Sequence, residues 1–294
     1  MTASPATLPL LGRTALITGV SRRRGIGFAV ARTFARLGAS VFIHHYGPHD
    51  EDQPWGADDL SGVVNALRAE LTEGARLGEM SADLRDPGRI QPLIDAASEL
   101  TGSLDILVCN HARSGGDGSI LDMTPEALDA FWQTNTRSTL LLTRAFALLK
   151  ADAPTAAARP GERIRGERKR TFTAPTGRVF WMTSGQGHGP MRGEVAYATS
   201  KAALAGVTAT VAAELLELGI VLNTVNPGPV DTGYLTPDAT DRPLGEIQDL
   251  IDSTPFGRFG APSDPANLIG WLATDDGAWI VGQVLTSDGG FYLA

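Results

Sequence analysis

Cysteine is almost missing from this chain of 294 residues, with Cys109 the only one. A lone cysteine excludes an intramolecular disulfide and any metal site built on several thiolates, and it fits a reducing compartment. Positive charge is also in deficit. The formal net charge of -8 argues against a nucleic-acid-binding protein. No uninterrupted apolar run approaches the ~20 residues that a membrane span requires. The opening stretch, MTASPATLPL, lacks the basic and apolar regions of a signal peptide. These absences lead to the expectation of a soluble, cytoplasmic protein with no nucleic-acid partner and no membrane partner. The length allows one large α/β domain or two modest ones.

What is present is an alternation of short apolar runs with helical patterns. Arg13 to Thr18 reads as a buried strand. A glycine-rich turn from Gly19 to Gly27 follows, and then a helical pattern that Gly38 stops. Strand, glycine turn and helix together make a phosphate cradle, because glycines let the backbone approach a pyrophosphate and the helix N-terminus offers free N–H groups. Ala39 to His45 reads as the second strand. Near its end an acidic residue usually holds the ribose 2′-OH of NAD. Here stand His44, His45 and Tyr46, with no carboxylate until Asp50, while Arg22, Arg23 and Arg24 occupy the glycine turn. That combination favours NADP(H) over NAD(H).

Gly47 to Gly56 reads as loop, Ala57 to Glu73 and Pro87 to Leu100 as helices, and Gly78 to Ala82 and Leu104 to Cys109 as strands. Thr124, Pro125 and Glu126 open a further helix that runs through Asn135 to about Lys150. Residues 151–176 are rich in Ala and Pro and then basic, which suggests an exposed surface insertion. Gly177 to Met182 and Gly219 to Val225 are strands, with a long apolar helix between them that carries Tyr197 and Lys201. Ala261 to Thr274 is helical, and Val284 to Thr286 closes with a strand. Such an alternation predicts a single-domain, doubly wound parallel sheet of the Rossmann type across residues 1–294, with residues 1–11 as an N-terminal tail.

Tyr197 and Lys201 lie four residues apart, on one face of a helix. A fixed ammonium beside a phenol favours the phenolate and makes a proton donor that works near neutral pH. Ser184 stands thirteen residues before the tyrosine. With the glycine turn, this arrangement resembles the short-chain dehydrogenase/reductase family, and the likeness extends from about Gly12 to Leu293. The family pattern T-G-x-x-x-G-x-G falls on Thr18, Gly19, Gly25 and Gly27, its N-N-A-G on Cys109 to Ala112, its helix asparagine on Asn135, and its P-G-x-x-x-T on Pro227, Gly228 and Thr232.

The resemblance implies catalysis by Ser184, Tyr197, Lys201 and Asn135. Tyr197 delivers a proton to a carbonyl oxygen, Lys201 tunes the phenol and holds the nicotinamide ribose, Ser184 orients the carbonyl, and Asn135 supports a proton-relaying water. It implies a cofactor site formed by Gly19, Ser21, Arg22, Arg23, Arg24, Gly25, Ile26, Gly27, His45, Tyr46, Asp83, Leu84, Asn110, His111, Ala112, Tyr197, Lys201, Pro227, Gly228, Val230 and Thr232. Gln186, His188 and Met191 are candidate substrate residues, residues 233–259 a substrate lid, and no metal is expected. The implied activity is that of an NADP(H)-dependent ketoreductase, of the 3-oxoacyl-carrier-protein reductase or secondary-metabolite kind. Its substrate would be a small carbonyl or alcohol, free or carrier-bound, and its assembly a homodimer or homotetramer.

Two departures from the family pattern stand out. Five residues separate Gly19 from Gly25, two more than usual, and N-N-A-G reads C-N-H-A. His111 is then either a loop residue beside the nicotinamide or a capping residue. Other readings are a same-fold epimerase or dehydratase and a non-catalytic dinucleotide sensor. A Ser184/His188 hydrolase lacks the G-x-S-x-G elbow and leaves the Tyr-Lys pair unexplained.

Overall fold

Alternation along the strands decides which helices cover which face of the sheet. In the computed structural model, which describes residues 8–151, 171–235, 245–254 and 256–293, seven strands form one parallel sheet in the order β3-β2-β1-β4-β5-β6-β7. They are β1 (Thr14–Ile17), β2 (Ser40–His45), β3 (Leu77–Ser81), β4 (Ile106–Cys109), β5 (Gly177–Met182), β6 (Ile220–Asn226) and β7 (Val284–Thr286). The helices are α1 (Ile26–Arg36), α2 (Gly47–Glu51), α3 (Leu60–Arg68), α4 (Ile90–Glu99), α5 (Pro125–Phe131), α6 (Ser138–Lys150), α7 (Val195–Leu216), α8 (Gly245–Ser253) and α9 (Ser263–Ala273). Ala15 and Ile17 of β1 join Val108, Phe180 and residues of α1, α3 and α9 in one core layer. Leu16, one position out of phase, joins Leu107, Trp181 and residues of α4, α6 and α7 in the other. Both faces are therefore covered, which is why β1, β2, β4, β5 and β6 are buried along their whole length. The strand order reverses between β1 and β4, and in such sheets the crevice at that point binds ligands.

The architecture agrees with the expected doubly wound sheet, and the differences are local. Gly47 to Glu51, expected as loop, forms α2 with Pro48 in its first turn. The helix expected from Pro125 to Lys150 is interrupted by a π turn at Trp132–Arg137 that separates α5 from α6. Leu10, expected in the tail, is fully buried, and its N–H donates to Leu37 O at 2.9 Å. Most of the basic segment (152–170) and part of the expected lid (236–244 and 255) lie outside the described residues.

Candidate active site

The glycine turn is held from both neighbouring strand ends. Gly19 has φ +73°, and a Cβ there would lie 2.8 Å from His111 Cα. At Gly27 a Cβ would lie 2.5 Å from Gly19 O, so a side chain would push α1 off the turn. Asn110 Nδ2 donates to Thr18 O and Gly19 O, both at 3.1 Å. From β2, His44 accepts the Gly19 N–H at Nδ1 (3.2 Å) and donates from Nε2 to Ala82 O (2.8 Å). Those two bonds assign the Nε2-protonated neutral ring. Burial agrees, lowering the His44 pKa to about 4.

His111 is a second buried bridge. Its Nε2 lies 2.7 Å from Ser138 Oγ, and the Ser138 hydroxyl donates onward to Thr134 O, so Nε2 carries the proton. Its Nδ1 then accepts from Thr18 Oγ1 at 2.6 Å. Burial holds its pKa well below the usual histidine value. The ring borders the cavity described below while tying β1 to α6.

A cavity of about 370 Å³ opens at the β1/β4 reversal, within the range of small-molecule sites. Gly19, Ser21, Arg22, Gly25, Ile26, Tyr46, Asp83, Leu84, Asn110, His111, Ala112, Pro227, Gly228, Val230 and Thr232 line it, as do Ser184, Met191, Tyr197 and Lys201. The N-terminus of α1 reaches the cavity through Gly25 and Ile26, with no side-chain cap and no acidic residue in its first turn. Unpaired N–H groups in that setting suit a dinucleotide pyrophosphate.

Seven expected site residues stand outside the lining. Successive strand residues point to opposite faces, so His44 borders the cavity while His45 bonds Glu79 Oε2 at 2.7 Å. Arg23 pairs with Asp58 at 3.2 Å and Arg24 with Asp231 at 2.6 Å, both on the surface. Gly27 serves the contact of α1 with the turn. Gln186 donates to Thr183 Oγ1 at 3.0 Å. His188 is exposed, stacks on Tyr292 with centroids 4.5 Å apart, and bonds Thr286 Oγ1 at 3.1 Å. Asn135 lies buried behind the wall in the π turn. Its Oδ1 accepts the Arg113 N–H at 2.7 Å, and its Nδ2 donates to Ser200 Oγ at 2.9 Å.

The lining also contains residues that sequence reasoning did not single out, among them Pro48, Asp50, Trp55, Arg85, Arg113 and Tyr234. Helix α2 brings Asp50 back to the glycine turn, where it accepts from Arg22 Nε at 3.0 Å. Arg22 also donates to Thr232 O at 2.6 Å and lies 5.5 Å from the Trp55 ring centroid. The guanidinium thus links the glycine turn to the segment after β6. A short polar helix opening with proline was the one available signal for this arrangement.

The Tyr-Lys side of the cavity begins with α7. Its cap comes from the loop after β4, where Asp117 accepts the N–H groups of Ala196 (3.1 Å) and Tyr197 (2.7 Å). Asp117→Ala is expected to cost about 1–2 kcal/mol of stability in urea unfolding, with most of it restored by Asp117→Asn. A wild-type midpoint for the alanine variant would show that the contact supports nothing. Tyr197 meets Phe131 edge-to-face at 6.4 Å between centroids. Lys201 is buried, donates to Met182 O at 3.0 Å, and holds Nζ 5.8 Å from the Tyr197 ring centroid. Desolvation lowers its pKa to about 8, opposed by Cys109.

Known proteins are similar to this chain in sequence and fold. A family model described as enoyl-(acyl carrier protein) reductase matches residues 19–157 and 166–292. The oxidoreductase YjdA of Bacillus subtilis (strain 168) is 33% identical over 280 residues, covering 95% of this chain and 96% of that protein. The NADPH-dependent aldehyde reductase-like protein, chloroplastic, of Arabidopsis thaliana is 31% identical, with 98% of this chain and 97% of that protein covered. Among solved structures, the promiscuous reductase LugOII, which catalyses keto-reduction at C1 during lugdunomycin biosynthesis, has a TM-score of 0.75 at 29% identity. There 97% of this chain and 100% of that chain are covered.

Proposed function

The chain belongs to the short-chain dehydrogenase/reductase family, and on that premise we propose that it reduces a small-molecule carbonyl with NADP(H), or runs the reverse reaction. The observation that carries this reading is that Ser184, Tyr197 and Lys201 share one cavity with the glycine turn. Gly19, Ser21, Gly25, Ile26 and the N-terminus of α1 would hold the pyrophosphate. When bound, the nicotinamide supplies the hydride. Ser184 orients the carbonyl, Tyr197 protonates its oxygen, and the buried Lys201 charge stabilises the phenolate left behind. With the proton from Tyr197 on its oxygen and the hydride that the nicotinamide would supply to its carbon, the ketone would become a secondary alcohol. Asn135 positions this machinery by joining the loop at Arg113 to α7 at Ser200.

The NADP(H) preference is supported by the missing carboxylate at the end of β2 and by the name of the Arabidopsis relative. Arg22 is already paired with Asp50, so a 2′-phosphate would gain it only by exchange. The preference is therefore modest, about tenfold or ~1.4 kcal/mol. Changing Arg22, Arg23 and Arg24 together to Ala should weaken NADPH more than NADH in fluorescence titrations, and equal losses would remove the 2′-phosphate argument. Absorbance at the reduced-nicotinamide band with a panel of ketones tests the activity. Binding of the cofactor with no turnover of any ketone would favour a sensor.

A cytoplasmic homodimer or homotetramer fits the same reading. Leu148 and Leu149 on α6, Trp271 on α9 and Trp279 before β7 are exposed apolar side chains that a second copy would cover. No described helix is long and apolar enough to cross a membrane.

A further inference from the structure

Three arginines line the cavity, Arg22, Arg85 and Arg113. Arg22 is paired with Asp50 and Arg85 with Asp83. Arg113 has no carboxylate partner among the described residues, and its Nε is buried without a hydrogen-bond partner. A half-buried guanidinium is costly to leave in that state, and a planar fork of donors is the shape that carboxylates and phosphates match.

The position of Arg113 is set by its surroundings. Asn135 clamps its backbone, accepting its N–H at 2.7 Å and donating to its carbonyl at 3.2 Å. The guanidinium carbon lies 5.4 Å from the Phe131 centroid, and the same ring meets Tyr197 edge-to-face. One phenylalanine ring therefore touches both the unpaired cation and the Tyr197 phenol.

We propose that Arg113 receives an anionic group of the substrate, so that the preferred substrates are ketones carrying a carboxylate or phosphate near the carbonyl. This rests on the carbonyl-reductase reading of the cavity. An anion at Arg113 places the carbonyl towards Ser184 and Tyr197 and excludes water from the guanidinium, which strengthens the pairing. The cofactor also carries phosphates, and the test separates the two sources.

The full-length protein is assayed with acetoacetate and 4-oxopentanoate, each against its methyl ester. The wild type is expected to show kcat/KM at least about tenfold higher for the acids. Arg113→Met should bring acid and ester to within about threefold of each other, mainly through KM for the acid, and Arg113→Lys should keep part of the preference as a point charge. Fluorescence titration of NADPH should give a Kd changed by less than about twofold in both variants. Ester reduction with poor acid reduction by the wild type would overturn the proposal alone. So would an acid preference that survives Arg113→Met, or a weakened NADPH Kd with the acid-to-ester ratio unmoved, which would assign Arg113 to the cofactor. Failure of the wild type to reduce any acid or ester would overturn the reductase reading and this proposal with it.

Discussion

Tyr197→Phe is expected to lower ketone reduction by about 10²–10⁴-fold, the usual worth of a positioned general acid. The exchange removes only the hydroxyl, so the ring keeps its edge-to-face contact with Phe131 and α7 keeps its cap from Asp117. Cofactor affinity should therefore persist, with the NADPH Kd changed by less than about threefold. The kinetic loss should fall on kcat, because the proton is transferred only in the transition state. Retention of turnover within about tenfold of wild type would remove Tyr197 as the proton donor. Lys201 adds a pH signature. In the proposed reaction its ammonium is the form that supports the phenolate, and burial lowers its pKa to about 8. Charge is present below that value and lost above it, so wild-type reduction should decline as pH rises through about 8. Tyr197→Phe should flatten this limb along with the rate.

The parts of this site that were legible in the sequence are those set by local spacing. Tyr197 and Lys201 follow from helical periodicity, the glycine turn from punctuation between a strand and a helix, and the buried strands from continuous apolar runs. What escaped depends on partners far away along the chain. Counting residues after β2 put Asp50 too far away to matter, yet α2 folds it back onto Arg22. The three arginines expected to bind phosphate, Arg22 to Arg24, are paired with Asp50, Asp58 and Asp231. Neither Asp58 nor Asp231 is a neighbour in sequence.

The same limit applies around Tyr197 and Lys201. The π turn around Asn135 contains no Gly or Pro to announce it. Asn135 bonds there to the Arg113 backbone and to Ser200, and π turns frequently mark functional positions. Asp117 caps α7 from 80 residues upstream. His45 is the expected cofactor residue, yet strand alternation lets only one of the pair face the cavity, and register with β3 makes it His44.

The choice of His44 has a consequence for stability in acid. His44 and His111 are buried neutral bases that hold the glycine turn and the end of β4. A proton on His44 Nδ1 would confront the Gly19 N–H that it now accepts. In the unfolded chain each histidine takes up its proton near pH ~6.5, whereas folded His44 does so only near about 4. Between those values the unfolded state binds more protons, so stability falls as pH drops through the window and is unaffected above it. The full shift corresponds to about 3 kcal/mol for His44, and His111 adds in the same direction. Urea midpoints measured from pH 7.5 down to 4.5 should fall steeply below about 6.5. His44→Gln can still accept from Gly19 and donate to Ala82 without titrating, so it should flatten that slope. A slope equal to wild type in His44→Gln would place the acid sensitivity elsewhere. Retained NADPH affinity near pH 4 in His44→Gln, where the protonated wild type has lost it, would tie the protonation to the glycine turn itself.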